Sequence, residues 1–554
     1  MLKTVFSVLS SKERRAVYAL SALALLSGAY LATDYYLNNT REVAAEGGTY
    51  IEAVVGQTRF INPILSQTND IDADLSSLIF SSLLRTDADG KLQNDLAESY
   101  EISEDKLTYT FHIKQNAKWH DGKSLTTDDI IYTIKTIQDD SFYSPLIANW
   151  KGIRVEKVDD YSLRFILKNT YAPFLNNLTF GILPQHSWEK ITSNEFPLSE
   201  LNFKPIGSGP YRFDSYKKDK NGRIISLNLT ANSAYYGSVP HIKRLTFNFY
   251  QTEEEAIAAF NNKEVKGINY LSPENMEKVT DLDKKQVYRL EMPRYYAVFF
   301  NQTQSKALSD KTVRLALAYA VDKNRLISEV LKGEGSIVNS PIPRGLLGYK
   351  ADTKVYDYAA EHANNILSEA GWVDSDNDGI RDKGGDKLEF TLIAGSDTDT
   401  AATADRLQAM WKEVGANVAV EKSDDVQADY IKTRDYQAVL FGEILNFDPD
   451  PFAFWHSSQK KDPGLNLALY DNTAADKILE EARKETDPAV REQKYQEFQN
   501  LVIEDEPAVF LYSPNYIYVQ DRSVKGMDAK NIITPSDRFN GVENWYLNTK
   551  RVKK

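Results

Sequence analysis

The sequence predicts a mixed α/β protein of two or three lobes, carried behind a single apolar N-terminal helix. Three observations predict it. The chain has 554 residues, well past the size at which one hydrophobic core keeps growing. Strand-like alternation and helix-like periodicity follow one another throughout, with no internal repeat or low-complexity tract, as in an α/β or α+β mixture. Finally, an uncharged run near the N-terminus stands apart from a chain in which 26% of residues are charged.

That run extends from Ala16 to Thr33, behind Lys12, Arg14 and Arg15 and ahead of Asp34. Roughly 18 residues at 1.5 Å each give about 27 Å, close to the thickness of a bilayer's hydrocarbon layer. The flanking cations hold the N-terminal side in the cytoplasm and send the remainder outward. Two fates stay open: an uncleaved signal anchor, or a signal peptide cut at the small residues Ser27-Gly28-Ala29. Residues 1–15 are then a basic cytoplasmic segment, 16–33 the transmembrane or signal helix, and 34–48, polar and small, a flexible tether.

The elements of the exported part follow in order. Thr49 to Val55 opens as a strand, and Leu107 to Ile113 alternates ahead of a tight Asp121-Gly122 turn. Thr126 caps a helix with Asp129 three residues on and an apolar stripe of Ile130, Ile131, Ile134 and Ile137. Leu163 to Leu167 and Leu245 to Phe249 alternate again. Thr312 to Val330 has helical spacing throughout, and Asp487-Pro488 starts another helix.

Chemistry is mostly excluded. A net charge of −13 and a pI near 5.2 speak against nucleic acid, which demands clustered cations. The basic tail Lys550, Arg551, Lys553 and Lys554 reads as a solvated end. The absence of cysteine removes disulfides, thiolate metal sites, Cys nucleophiles and a lipidated Cys anchor. The six histidines form no HExxH pair, and no GxSxG elbow, P-loop or GxGxxG occurs, so no enzyme is expected. Gly207-Ser208-Gly209-Pro210 reads as a turn. Asp374, Asp376, Asp378 and Asp382, with Gly379 among them, resemble a calcium loop, yet Gly385 stands where the bidentate Glu belongs. A structural calcium ion and an Asp-rich solvated turn both remain readings of this segment.

Several stretches together resemble the family 5 extracellular solute-binding proteins, the oligopeptide, dipeptide and nickel receptors of ABC importers. They are Asn62-Pro63 with Leu83-Leu84-Arg85 and Leu96 to Tyr100; Thr108 to Ile134; Gly207 to Tyr211; Phe300-Asn301 with Val313 to Asp322; Ala370-Gly371-Trp372; and Asp448 to Phe452. The resemblance implies a bilobal periplasmic-binding-protein-like fold of type II with an extra third lobe. Lobe I would comprise 49–75, 206–297 and 521–549, lobe II 76–205, and lobe III 298–520. The hinges would lie near Arg294 to Asn301 and Tyr512 to Asp521. It also implies a monomer that closes on its ligand, works with ABC permease subunits and needs no cofactor.

For a peptide ligand the resemblance implies two backbone edges, Gln67-Thr68-Asn69 and Val439 to Asn446. Peptide-binding members carry an Asp three residues before the DPD-like turn, where it pairs with the ligand's α-ammonium. Here that place is Leu445. Glu443, on the same strand face, or Asp448 would have to substitute, because a buried ammonium without a carboxylate is costly. Phe441, Gly442, Leu445 and Asn446 complete the expected edge, with Trp150, Phe441 and Trp455 as aromatic lining. A metal chelate, opine or saccharide receptor of the same fold is an alternative, as is a tethered sensor or peptide-holding chaperone.

Overall fold

The computed structural model describes residues 10–88 and 90–554; the first nine residues of the basic segment lie outside the described residues. A single helix, Ser11–Asn39, contains the whole uncharged run and buries none of its side chains. Ser10 and Glu13 form its capping box. The expected flexible tether is instead structured. The helix continues through Asp34 to Asn39, and Thr40–Ala45 then pairs antiparallel with the C-terminal strand Asn548–Lys553. The tail supplies the hydrogen-bonding edge that a polar linker lacks by itself.

Beyond this stalk, three large sheets and two short two-stranded ones are present among the described residues. A seven-stranded sheet runs in the order Gln286–Leu290, Tyr516–Gln520, Gly267–Ile268, Thr49–Val55, Arg244–Tyr250, Ile224–Ala231, Tyr211–Lys218. A four-stranded antiparallel sheet (Ala97–Ile102, Thr108–Ile113, Ser162–Ile166, Arg154–Asp159) comes from the insertion between its first two strands in chain order. One continuous hydrophobic core joins these two, from Tyr50 and Val54 through Leu78 and Ile79 to Phe111, Phe165 and Trp545. They therefore form one body.

The second body is built on a six-stranded sheet ordered Gly335–Ile337, Ala508–Pro514, Arg294–Phe300, Ala438–Ile444, Glu389–Gly395, Asn417–Ser423. Its two faces carry separate cores. One gathers Val298, Leu317, Leu407 and Trp411; the other gathers Tyr295, Phe299, Trp455 and Phe498. The chain passes between the bodies twice, at Glu291–Pro293 and at Asn515. The strand Tyr516–Gln520, expected at the end of 298–520, hydrogen-bonds within the seven-stranded sheet. Arg294–Phe300 is likewise wholly a strand of the second body.

Local signals behave as their chemistry requires. The Thr126/Asp129 capping box opens the helix Thr127–Gln138, and Asp487 accepts from Ala489 N–H ahead of Pro488–Asp505. The stretch 312–330 is two helices, Lys311–Tyr319 and Lys323–Glu329, not one. Asp322 breaks it by accepting from Arg325 N–H as an N-cap, a competition with the helix ladder that Asp side chains commonly win.

Candidate functional site

A cavity of about 370 Å³ opens where the two bodies meet, and Gln67, Asp70, Trp150, Asn177 and Asn446 are among its walls. Two larger hollows continue the cleft. One, of about 650 Å³, shares Asp70 with the first and also touches Asn69 and Arg294. The other, of about 570 Å³, shares Arg294 and lies against Leu440–Ile444.

The first body's rim is built from Asn62 onward. Buried Asn62 accepts from Ile64 N–H and donates to Asn202, turning the chain at Pro63. Ser66–Thr68 is a 3₁₀ turn in which the Gln67 amide donates to Pro63 O at 2.6 Å. Asn69 then caps the helix Asp70–Ile79 by accepting from Ile71 and Asp72 N–H. The predicted strand edge at Gln67–Asn69 is thus a turn and a cap, because the Asn side chain satisfies the helix's orphan donors. The far end of that helix is seated by the glycine turn. Gly209 N–H donates to Ile79 O at 2.8 Å, and a Cβ on Gly207 would fall 1.9 Å from the same oxygen. Midway, Arg538 holds Asp74 with both arms and Glu52 with one, each at 2.6 Å, all three buried.

On the second body, Ala438–Ile444 pairs along its length with Arg294–Phe300. Its other edge pairs only at Ala438 and Val439. From Leu440 to Ile444 that edge carries no strand partner among the described residues and lines the cleft beside Gly395 and Asp397. This free stretch overlaps the border expected at Val439 to Asn446, but Val439 is paired and the strand stops at Ile444.

The carboxylates sort themselves by partner. Leu445 is 4% exposed and belongs to the core. Glu443 is also buried; the Tyr295 hydroxyl donates to it, and burial pushes its pKa up to about 8. Asp448 is held by Arg491 at 2.6 Å and by the Tyr495 hydroxyl at 3.4 Å. Around the cavity, Asp95 accepts from the Tyr236 hydroxyl and Ser82 N–H. Asp537 caps its own turn, and Glu543 pairs with Arg85 at 3.2 Å. Asp70 alone among these cavity carboxylates makes no hydrogen bond or ion pair among the described residues. Although its side chain stays exposed, the surrounding protein raises its pKa by desolvation, against the opposing pull of Arg538 and Arg294. Sequence reasoning passed over it, since a first-turn Asp is an ordinary helix residue.

Of the aromatics, Trp150 lines the cavity, and its buried Nε1–H has no acceptor among the described residues. Phe441 borders the cleft. Trp455 packs against Phe299, Phe498 and Phe510 inside the second body. In the Asp loop, carboxylate oxygens of Asp374, Asp376 and Asp378 lie within 4.8 Å of one another. The Lys387 ammonium donates to Asp376 and Asp378, while Asp382 accepts from Ser375. The donor set fits a hard cation, but Lys387 already supplies positive charge there.

The sequence pattern of the bacterial extracellular solute-binding proteins, family 5 Middle, matches residues 91–466. The chain belongs to this family. Among its family 5 relatives, the oligopeptide-binding protein AppA of Bacillus subtilis is 30% identical over 528 residues, covering 91% of this chain and 92% of AppA. The structure of AppA in complex with a nonapeptide superposes with a TM-score of 0.73 at 27% identity, covering 91% of this chain and all of that one. NikZ from Campylobacter jejuni in complex with Ni(L-His) superposes with a TM-score of 0.74, also at 27% identity, over 90% of this chain and 99% of NikZ. The family consists of extracellular solute-binding proteins and not of enzymes. The bilobal architecture expected of it is the one observed.

Proposed function

We propose that this family 5 protein is a membrane-anchored receptor that captures short peptides for an ABC-type importer, with Asp70 receiving the peptide's α-ammonium. The observation that carries this reading is the composition of the interlobe cleft. It combines an open strand edge at Leu440–Ile444, side-chain amides at Gln67, Asn177 and Asn446, and an unpaired carboxylate. A peptide presents the complements: main-chain N–H and C=O groups for the edge and amides, and one cation for Asp70. An unpaired carboxylate on the cleft wall gains from a cation that closure would enclose with it, and the Trp150 N–H has no acceptor of its own among the described residues. The AppA nonapeptide complex supports the ligand class. None of the six histidines lines the three cavities.

The two passages at 291–293 and 515 are the hinge in this reading, and the permease subunits of the importer receive the closed, monomeric receptor. The helix Ser11–Asn39 is the anchor. Function needs no cofactor; a calcium ion at the Asp374–Asp382 loop would staple that loop by displacing Lys387, and an unchanged melting temperature in chelator would remove it. The test of the main reading is titration calorimetry of the full chain with short peptides. Free-amine peptides should bind at least tenfold tighter than their N-acetylated forms, and Asp70→Asn should abolish that preference. Equal affinity for both forms in the wild-type chain would refute the role of Asp70, and failure to bind any peptide would refute the peptide reading itself.

A further inference from the structure

The last strand of the described residues, Asn548–Lys553, is not a loose tail. It returns to the helix exit as the second strand of the stalk, with Thr40 opposite Lys553 and Val43 opposite Lys550. Arg551 fastens the joint. Its guanidinium donates to Thr40 Oγ1, Thr40 O and Leu37 O at 2.9–3.1 Å, pairs with Glu42 at 3.3 Å and lies 5.7 Å from the Tyr36 ring centre. Lys554 N–H donates to Asn39 O at 3.0 Å. The helix therefore hands over to a paired stalk, not to a slack linker.

The placement sets the stalk's height. Counting from Asp34, where the uncharged run ends, Thr40 lies about 9 Å further along the axis. The headgroup layer of one leaflet is roughly 5–7 Å deep, so the tips of Lys553 and Lys554 are within reach of its outer edge. Tyr35 and Tyr36 are exposed just below, the level at which aromatic side chains favour a membrane interface. Lys553, Lys554 and Arg41 are exposed and form no ion pair among the described residues, while Lys550 is exposed and lies close enough to Glu46 to join Lys243 in lowering that carboxyl's pKa. The acids nearby are Asp34, bound by Asn38; Glu42, engaged by Arg551; and Glu46, paired with Lys243. In a chain whose net charge is −13, the stalk thus presents unpaired cations at the place nearest the bilayer.

We propose that this two-stranded foot docks on anionic phospholipid headgroups of the leaflet from which the helix emerges, holding the acidic receptor body upright and away from the surface. The inference rests on the anchor reading. Each basic side chain held at an anionic surface adds a favourable increment, so Lys553 and Lys554 together shift the docking equilibrium roughly thirtyfold at low salt, an effect that salt screens.

The absence of cysteine makes the test clean. The full chain carrying Thr549→Cys, labelled with a donor dye, is placed in nanodiscs of phosphatidylcholine alone or mixed with phosphatidylglycerol, with an acceptor on a minority of headgroups. Energy transfer should be higher in the anionic discs, fall to the neutral value at 1 M salt, and lose most of its lipid dependence in Lys550→Gln/Lys553→Gln/Lys554→Gln. Transfer that is equal in both lipids, or unchanged in the triple variant, overturns the proposal; the same result would follow if the foot contacted a permease instead. Alkaline extraction of native membranes tests the anchor separately. If the chain is released with its helix removed, co-sedimentation of that processed chain with anionic but not neutral vesicles still supports the foot, and its absence overturns it.

Discussion

At the scale of single residues, Asp70 and Glu443 show how environment, not residue type, sets a carboxylate's role. Both are acids near the cleft, yet Tyr295 hydrogen-bonds Glu443 inside a core whereas Asp70 is left unpaired. The Glu443 pKa of about 8 has a stability consequence. An acid whose folded pKa stands above its unfolded value binds its proton more tightly when folded. Its favourable contribution is complete below the ordinary glutamate range and is lost as the pH rises toward 8. Glu443→Gln should therefore gain melting temperature relative to the parent progressively between pH 5 and 8, and a constant offset across that window would contradict the burial argument. Arg538→Ala should cost about 3–5 kcal/mol, because it strands Glu52 and Asp74 as uncompensated buried charges; denaturant unfolding measures it. The expected anchor position, Leu445, was legible as lacking a carboxylate. Asp70 was not, because its lack of partners is a fact of three dimensions that no local pattern encodes.

At the scale of elements, caps and turns were the most legible features. The Thr126/Asp129 box, the Asp487-Pro488 start and the strand Thr49–Val55 all stand where their residues place them. Misread elements share a physical cause. In 312–330 the apolar periodicity outweighed Asp322, whose side chain ends one helix and caps the next. In 34–48, composition suggested a slack tether, but the strand partner lies more than 500 residues away in sequence. The glycine turn was recognised as a turn, and its packing explains its composition. Gly207→Ala places a methyl group against a backbone oxygen that no rotamer can move aside. It should cost about 1–3 kcal/mol and, by displacing the helix that begins at Asp70, weaken peptide binding as well. A variant that melts normally and binds normally would show that this seat is not needed.

At the scale of the whole molecule, the arrangement is two bodies joined by two short passages, with one core spanning the first body's two sheets. Between the bodies, the Tyr171 hydroxyl of the first donates to Asp450 of the second at 3.2 Å, and Arg483 holds the same carboxylate at 2.7 Å. This contact exists only while the bodies touch, so Tyr171→Phe should weaken ligand binding by about 1 kcal/mol, roughly fivefold, with little change in the melting temperature of the ligand-free protein. Closure around a peptide is the claim on which the functional account depends, and solution X-ray scattering of the exported part, with and without saturating peptide, tests it most directly. The radius of gyration should fall on ligand addition and recover when the peptide is removed. An identical scattering profile at demonstrated saturation would contradict capture by hinged closure.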